Sequence, residues 1–145
     1  MATTTTNFGW AIPESSDLVS QGAVAIAALG NAIDGNVSKL TLRDVTGTSD
    51  TFVLADLKNV LVRYSSTSNV AITVPLNSSV AFPTGAIINI IKTGATGTIT
   101  IAGAGGVTIV SAATVPASPT IAIQYAAASL IKVATDTWYV VGNIS

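Results

Sequence analysis

From Leu57 to the end of the 145-residue sequence, short apolar runs recur at roughly ten-residue spacing, with no helical period between them. They cover residues 59–65, 69–74, 85–92, 97–102, 106–110, 119–125, 129–134 and 137–142. Clusters of Ser, Thr, Asn and Gly separate them, as in Ser65–Asn69, Asn77–Ser79, Gly94–Gly97, Gly103–Gly106 and Thr135–Thr137. A chain so punctuated cannot form long helices. It predicts a mainly β fold, with a β-sandwich or jelly-roll-like domain over residues 57–145.

Within that domain the alternation sets the faces. Thr98-Ile99-Thr100-Ile101 and Val70-Ala71-Ile72-Thr73-Val74 place isoleucine inward and threonine outward. Ile87-Ile88-Asn89-Ile90-Ile91 is apolar on both faces, which predicts a central strand or one buried at a subunit contact. Residues 97–109 read as a hairpin folded at its glycines, and residues 130–142 as a closing hairpin. Trp138 and Tyr139 point to opposite faces of the last strand, with Trp138 in the core.

The chain before this domain reads as an attachment. Residues 1–16 form an extended arm, since Pro13 opposes helix. Phe8, Trp10 and Ile12 alternate along it and share one face if it is extended. They either tuck back onto the chain's own core or anchor the arm on a partner. Residues 17–36 predict an amphipathic helix. Ser15, Ser16 or Asp17 caps its start, and Gly35 stands where a C′ residue belongs. Its apolar positions Val19, Ile26, Leu29 and Ile33 follow a 3-4 spacing, and Val19, Ile26, Ile33 and Leu40 lie seven apart. The helix is too short and too rich in small residues to be stable alone. It packs either on its own β domain or in a short helical bundle about a symmetry axis. Residues 37–56 connect the two parts, with short strands at 40–42 and 51–54.

Charge narrows the function classes. Only 9% of residues are charged and the net charge is −1, where soluble domains average about 25% charged. With 49% hydrophobic content, this predicts an oligomer whose surfaces are covered by other chains. No basic cluster exists to neutralise phosphates, so nucleic acid is not an expected partner. The start of the chain has neither the basic nor the apolar segment of a secretory signal, and the stretch Ala23–Leu29 is too short to span a bilayer. The absence of Cys and His removes thiolate chemistry, the usual general base and the commonest transition-metal ligand.

The remaining chemical candidates resolve into fold grammar. Gly103-Ala104-Gly105-Gly106 matches no phosphate-loop pattern and predicts a tight turn. Ser129-Leu130-Ile131-Lys132 spells S-x-x-K, but in a strand Ser129 and Lys132 point to opposite faces. Asp44 and Asp50 could approach across a turn and hold a hard cation, although turn formation explains both more simply. Asp56 and Asp136 are the only acids of the β region. We therefore expect no enzymatic activity, no catalytic residue, no cofactor and no metal.

Two pieces resemble tailed-bacteriophage virion proteins. The first runs Asn7-Phe8-Gly9-Trp10-Ala11-Ile12-Pro13-Glu14-Ser15-Ser16-Asp17-Leu18-Val19 and on through Gly22-Ala23-Val24-Ala25-Ile26-Ala27-Ala28-Leu29-Gly30-Asn31-Ala32-Ile33-Asp34. It is similar to the N-terminal module of tail-fibre-like and minor structural proteins. The second comprises residues 74–85 and 99–109, Leu130-Ile131-Lys132 and Asp136-Thr137-Trp138-Tyr139-Val140-Val141-Gly142. It resembles the C-terminal β domain of fibre and capsid-surface proteins. The long shaft of a full fibre is missing. The resemblance implies a homotrimeric β knob on the exterior of a virion, docked through its N-terminal segment on the major capsid protein or another virion protein. The role it implies is a capsid decoration (cement) protein, or alternatively a short tail fibre or adhesin-like protein that meets a host-surface glycan.

Overall fold

The computed structural model describes residues 3–4, 11–12, 19–37 and 39–145. The chain divides into two compact units, residues 1–41 and 42–145. The first holds a two-stranded antiparallel ribbon, β1 (Thr3–Thr4) and β2 (Ala11–Ile12), in which Thr3 faces Ile12. A single helix follows, α1 (Val19–Val37). Gly35 lies inside α1 and does not end it. A glycine within a helix costs only about 1 kcal/mol relative to alanine, which the neighbouring residues outweigh.

The second unit is mainly β, with two mixed sheets. Its strands are β3 (Thr41–Val45), β4 (Ser49–Thr51), β5 (Val60–Tyr64), β6 (Val70–Val74), β7 (Ile87–Lys92), β8 (Ile99–Gly103), β9 (Thr108–Ser111), β10 (Thr120–Ile121), β11 (Ala127–Ala134) and β12 (Thr137–Gly142). One sheet has the order β3-β5-β7-β11-β12-β9 and the other β10-β8-β6-β4. Between β3 and β10 successive strands alternate between the two sheets. The chain therefore crosses from one layer to the other at each turn and, through β8, returns beside the strand it left, whereas β9 lands at the far edge of the six-stranded sheet beside β12.

That winding produces parallel pairs. Leu61 of β5 lies beside Asn89 of β7, and Ala71 of β6 beside both Ser49 of β4 and Thr100 of β8. The connections β3–β4, β5–β6 and β7–β8 stack as arches on one end. Ser65 N–H donates to Val45 O at 3.0 Å and Ala71 N–H to Thr48 O at 2.9 Å. Thr93 and Gly94 both donate to Tyr64 O. The stack is so close that a Cβ on Gly94 would sit 1.9 Å from Ser66 O, and one on Gly97 2.4 Å from Ser68 O. Glycine is required at both positions.

Residues 97–109 correct one expectation. They do not form a hairpin, because β8 belongs to the four-stranded sheet and β9 to the other. The turn at the glycines is real: Val107 N–H donates to Ala104 O at 2.8 Å, and Gly106 adopts φ +97°. It joins layers instead of neighbours. The strand expected over 119–125 shortens to Thr120–Ile121, because the chain turns at Ile123–Ala126 with Tyr125 at φ +64°.

The closing hairpin forms as expected. β11 and β12 pair antiparallel, with Ile131 opposite Tyr139. β7 lies inside the six-stranded sheet between β5 and β11. The inward residues of both sheets form one core, with Val62, Tyr64, Ile88, Ile90, Leu130, Trp138 and Val140 from one side and Val70, Ile72, Val74, Ile99, Ile101 and Ile121 from the other. Each such side chain contributes about 1.5–3 kcal/mol when fully buried. Trp138 is buried and Tyr139 is half exposed, the division read from strand parity.

Candidate interaction surfaces

The two sheets present unlike outer faces. On the four-stranded sheet the outward rows are Thr120, Thr100, Ala71, Ser49 and then Ala102, Thr73, Thr51. This is the threonine surface that alternation predicts. On the six-stranded sheet one outward row runs Ile87, Ile131, Tyr139, Val110 across four strands. A second runs Leu61, Asn89, Ser129, Val141. Tyr139 is 48% exposed, and Ile87, Val110 and Val141 are similarly open. The polar pair inside this face satisfies itself, because Ser129 Oγ donates to Asn89 Oδ1 at 2.7 Å. Beside β9 and β12 the surface dips into a groove of about 350 Å³ lined by Val110, Tyr139, Val141 and Ile144.

The charges nearest this face neutralise each other. Arg63 donates twice to Asp44, through Nε and one terminal nitrogen, both at 2.6 Å. The guanidinium holds the Asp44 carboxyl below the usual range, and the carboxylate raises Arg63 in turn. Both groups are solvated, so the pair adds little stability. Its consequence is an outer sheet face without net charge.

α1 carries the second open apolar surface. Ile26 is 64% exposed, Ile33 is exposed and Leu29 is half-buried. Of the seven-spaced positions whose side chains are described, Ile26, Ile33 and Leu40 are exposed. Phe8 and Trp10 lie outside the described residues, as do the side chains of Ile12 and Val19.

The acids and buried cations have structural work. Asp44 and Asp50 do not share a cation site, because different arginines claim them. Asp50 accepts two hydrogen bonds from Arg43, at 2.7 and 3.0 Å, and one from the Tyr64 hydroxyl at 2.6 Å. Asp56, buried at 1% exposure, accepts from Val53 N–H at 2.9 Å and from Arg43 at 3.2 Å. Its second oxygen lies 2.7 Å from Arg43 Nε, but the N–H is misaligned, so this contact is ionic and not a hydrogen bond. The Asp50 hydrogen bond raises the Arg43 pKa despite its partial burial. Burial first, and then the bond to Asp50, raises Tyr64. This network ties β3, β4, β5 and the short helical turn Leu54–Leu57 together.

Asp136 accepts the Asn77 backbone N–H at 2.7 Å. Lys92 and Lys132 are buried on core faces of their strands, which parity alone assigns to apolar residues. Lys92 donates to Gly94 O at 2.6 Å and so holds the β7–β8 arch. Ser129 and Lys132 point to opposite faces, as expected. Among the described residues there is no cluster of three potential metal ligands and no helix long and apolar enough to cross a membrane.

The class that these features define is a two-sheet β protein with an N-terminal helix and one apolar sheet face. No protein-family model matches this chain, and no curated protein matches it either.

Proposed function

We propose that this is a non-enzymatic structural protein of a phage virion, a homotrimeric capsid decoration protein that binds and stabilises the assembled shell. The observation that carries the reading is the unequal dressing of the sandwich: one outer face of threonine, the other of Ile87, Ile131, Tyr139, Val110 and Val141. A chain with so few charges gains most by covering that face. A second copy of the chain is the occupant we assign, because the face has no net charge to seek an oppositely charged partner. The α1 stripe of Ile26, Leu29 and Ile33 adds a second contact between copies. The N-terminal arm with Phe8, Trp10 and Ile12 then docks on the major capsid protein, and the phage resemblance of residues 7–34 supports that role.

Such a protein acts by mass action, since a ligand of the assembled shell alone stabilises it. Particles stripped of the protein should rupture at lower temperature than intact ones, and adding it back should restore them. A chain lacking residues 1–16 should stay folded and oligomeric yet fail to sediment with particles. Equal rupture temperatures with and without the protein would overturn the decoration role.

A second reading, a short tail fibre or adhesin-like knob, draws on Tyr125. This aromatic is 70% exposed and holds φ +64° beside exposed Ile123. A strained, open aromatic is a feature of recognition loops. Purified protein that blocks adsorption of phage to cells, with about a dozen copies per particle instead of hundreds, would favour it.

A further inference from the structure

Lys132 occupies the core face of β11 at 2% exposure. Its ammonium donates to Asn77 Oδ1 at 2.5 Å and to Phe82 O at 2.7 Å. It lies 6.0 Å from the Trp138 ring centroid, and Trp138 meets Phe82 edge-on at 5.4 Å. Arg43 and Arg63 have carboxylate partners, but among the described residues no ion pair reaches Lys132. A buried charge without a counter-ion is costly.

The Asn77 carboxamide is held in place from its own backbone. Asp136 accepts the Asn77 N–H at 2.7 Å, and the turn continues with Ser79 and Val80 donating to Leu76 O at 3.0 Å. The buried Lys132 amine thus meets the half-buried Asn77 carboxamide beside Trp138 and Phe82, while the half-buried Asp136 carboxylate grips the Asn77 backbone. Amine and carboxamide come from positions 55 residues apart. Contact between Nζ and the carboxamide oxygen puts the adjoining carbon within reach of attack, the arrangement that makes a reaction effectively intramolecular.

We propose that Lys132 and Asn77 form an intramolecular isopeptide bond. Lys132 Nζ, as the free amine, attacks Asn77 Cγ. The new C–N bond forms, the bond from Cγ to Nδ2 breaks, and the Asn77 side-chain nitrogen leaves as ammonia. Protons balance within the pair: alkylammonium plus carboxamide gives a secondary amide plus ammonium. No oxidant or other reactant is needed. The buried positive charge leaves with the ammonium ion, and the amide N–H that remains on Nζ can still donate to Phe82 O. Asp136 is a positioning residue here, since it holds Asn77 against the amine. The link would fasten the turn after β6, in one sheet, to β11 in the other.

Intact-mass spectrometry of the full chain tests this. The wild-type protein should be about 17 Da lighter than its sequence mass, the loss of one ammonia. Trypsin should then leave residues 64–92 joined to an uncut 93–145, because an acylated Lys132 is not cleaved. Lys132→Arg should restore the full mass with the fold retained by circular dichroism. Asp136→Ala should lower the linked fraction several-fold. Wild-type protein of full mass with free peptides 93–132 and 133–145 would overturn the proposal. So would a deficit that persists in Lys132→Arg, since that deficit would come from cyclisation at an asparagine.

Discussion

Tyr139 stands directly across the parallel β12–β9 pair from Val110, and both side chains turn away from the core. With Ile131 and Ile87 they complete an apolar row over four strands that no other described residue of the β unit covers. If that row is where copies meet, Tyr139→Asp places a charge in the centre of the contact. Sedimentation velocity should show an oligomer for the wild type and a monomer for the variant, with unchanged far-ultraviolet circular dichroism. A wild-type monomer at high concentration would remove this face from consideration.

Asp56 is the most buried acid of the Arg43 network, and it also receives Val53 N–H. Asp56→Ala leaves that amide and one side of the guanidinium unpaired. Arg43 keeps Asp50 and is partly solvated, so the loss falls below that of a fully buried pair. We expect about 2–3 kcal/mol, read as a lower urea midpoint at constant slope. Asp44→Ala, which removes a solvated pair, should leave the midpoint nearly unchanged.

Tyr64 supplies a pH dependence. Burial and the Asp50 carboxylate keep its phenol protonated in the folded chain well above the ordinary value of 10.0. The unfolded chain loses that proton near the ordinary value. This contribution to stability is therefore complete below about pH 10 and falls as pH rises beyond it. The stability difference between wild type and Tyr64→Phe should shrink from about pH 8 to about pH 11, measured by urea unfolding at each pH. A constant difference would show that Tyr64 ionises alike in both states.

The stacked arches predict a sharp contrast among glycines. Gly94→Ala would drive a methyl group into the Ser66 carbonyl. Moving backbone to admit it should cost about 3 kcal/mol or more, or prevent folding. Gly22→Ala meets nothing within 4 Å and should stabilise the helix by up to about 1 kcal/mol. Thermal melts of the two variants check both signs.

Local pattern was enough for much of the β unit. Strand parity put Ile99 and Ile101 inside, Trp138 in the core and Tyr139 out, because alternate side chains of a strand face opposite ways whatever the strand pairs with. Glycine clusters marked the turns, since few other residues reach the required backbone angles. The same pattern misread the turn at Gly103–Gly106 as a hairpin. A turn specifies a change of direction, but whether the next strand joins the same sheet or the other depends on contacts distant in sequence. Lys132 was invisible as a core residue for the same reason: its acceptors, Asn77 Oδ1 and Phe82 O, arrive from another segment. The pairing of Arg43 with Asp50 and Asp56, and of Arg63 with Asp44, likewise exists only once β3, β4 and β5 lie side by side.

By itself, then, the sequence determined that this chain is mainly β, where most of its turns fall, and which side chains of a strand share a face. Those follow from backbone geometry acting over a few residues. Tertiary structure alone decided that successive strands alternate between layers in parallel arches and that one outer face stays apolar. It also brought Lys132 against Asn77. Each of these depends on which distant segments come to lie together, a choice made by the total burial of the core rather than by any local preference.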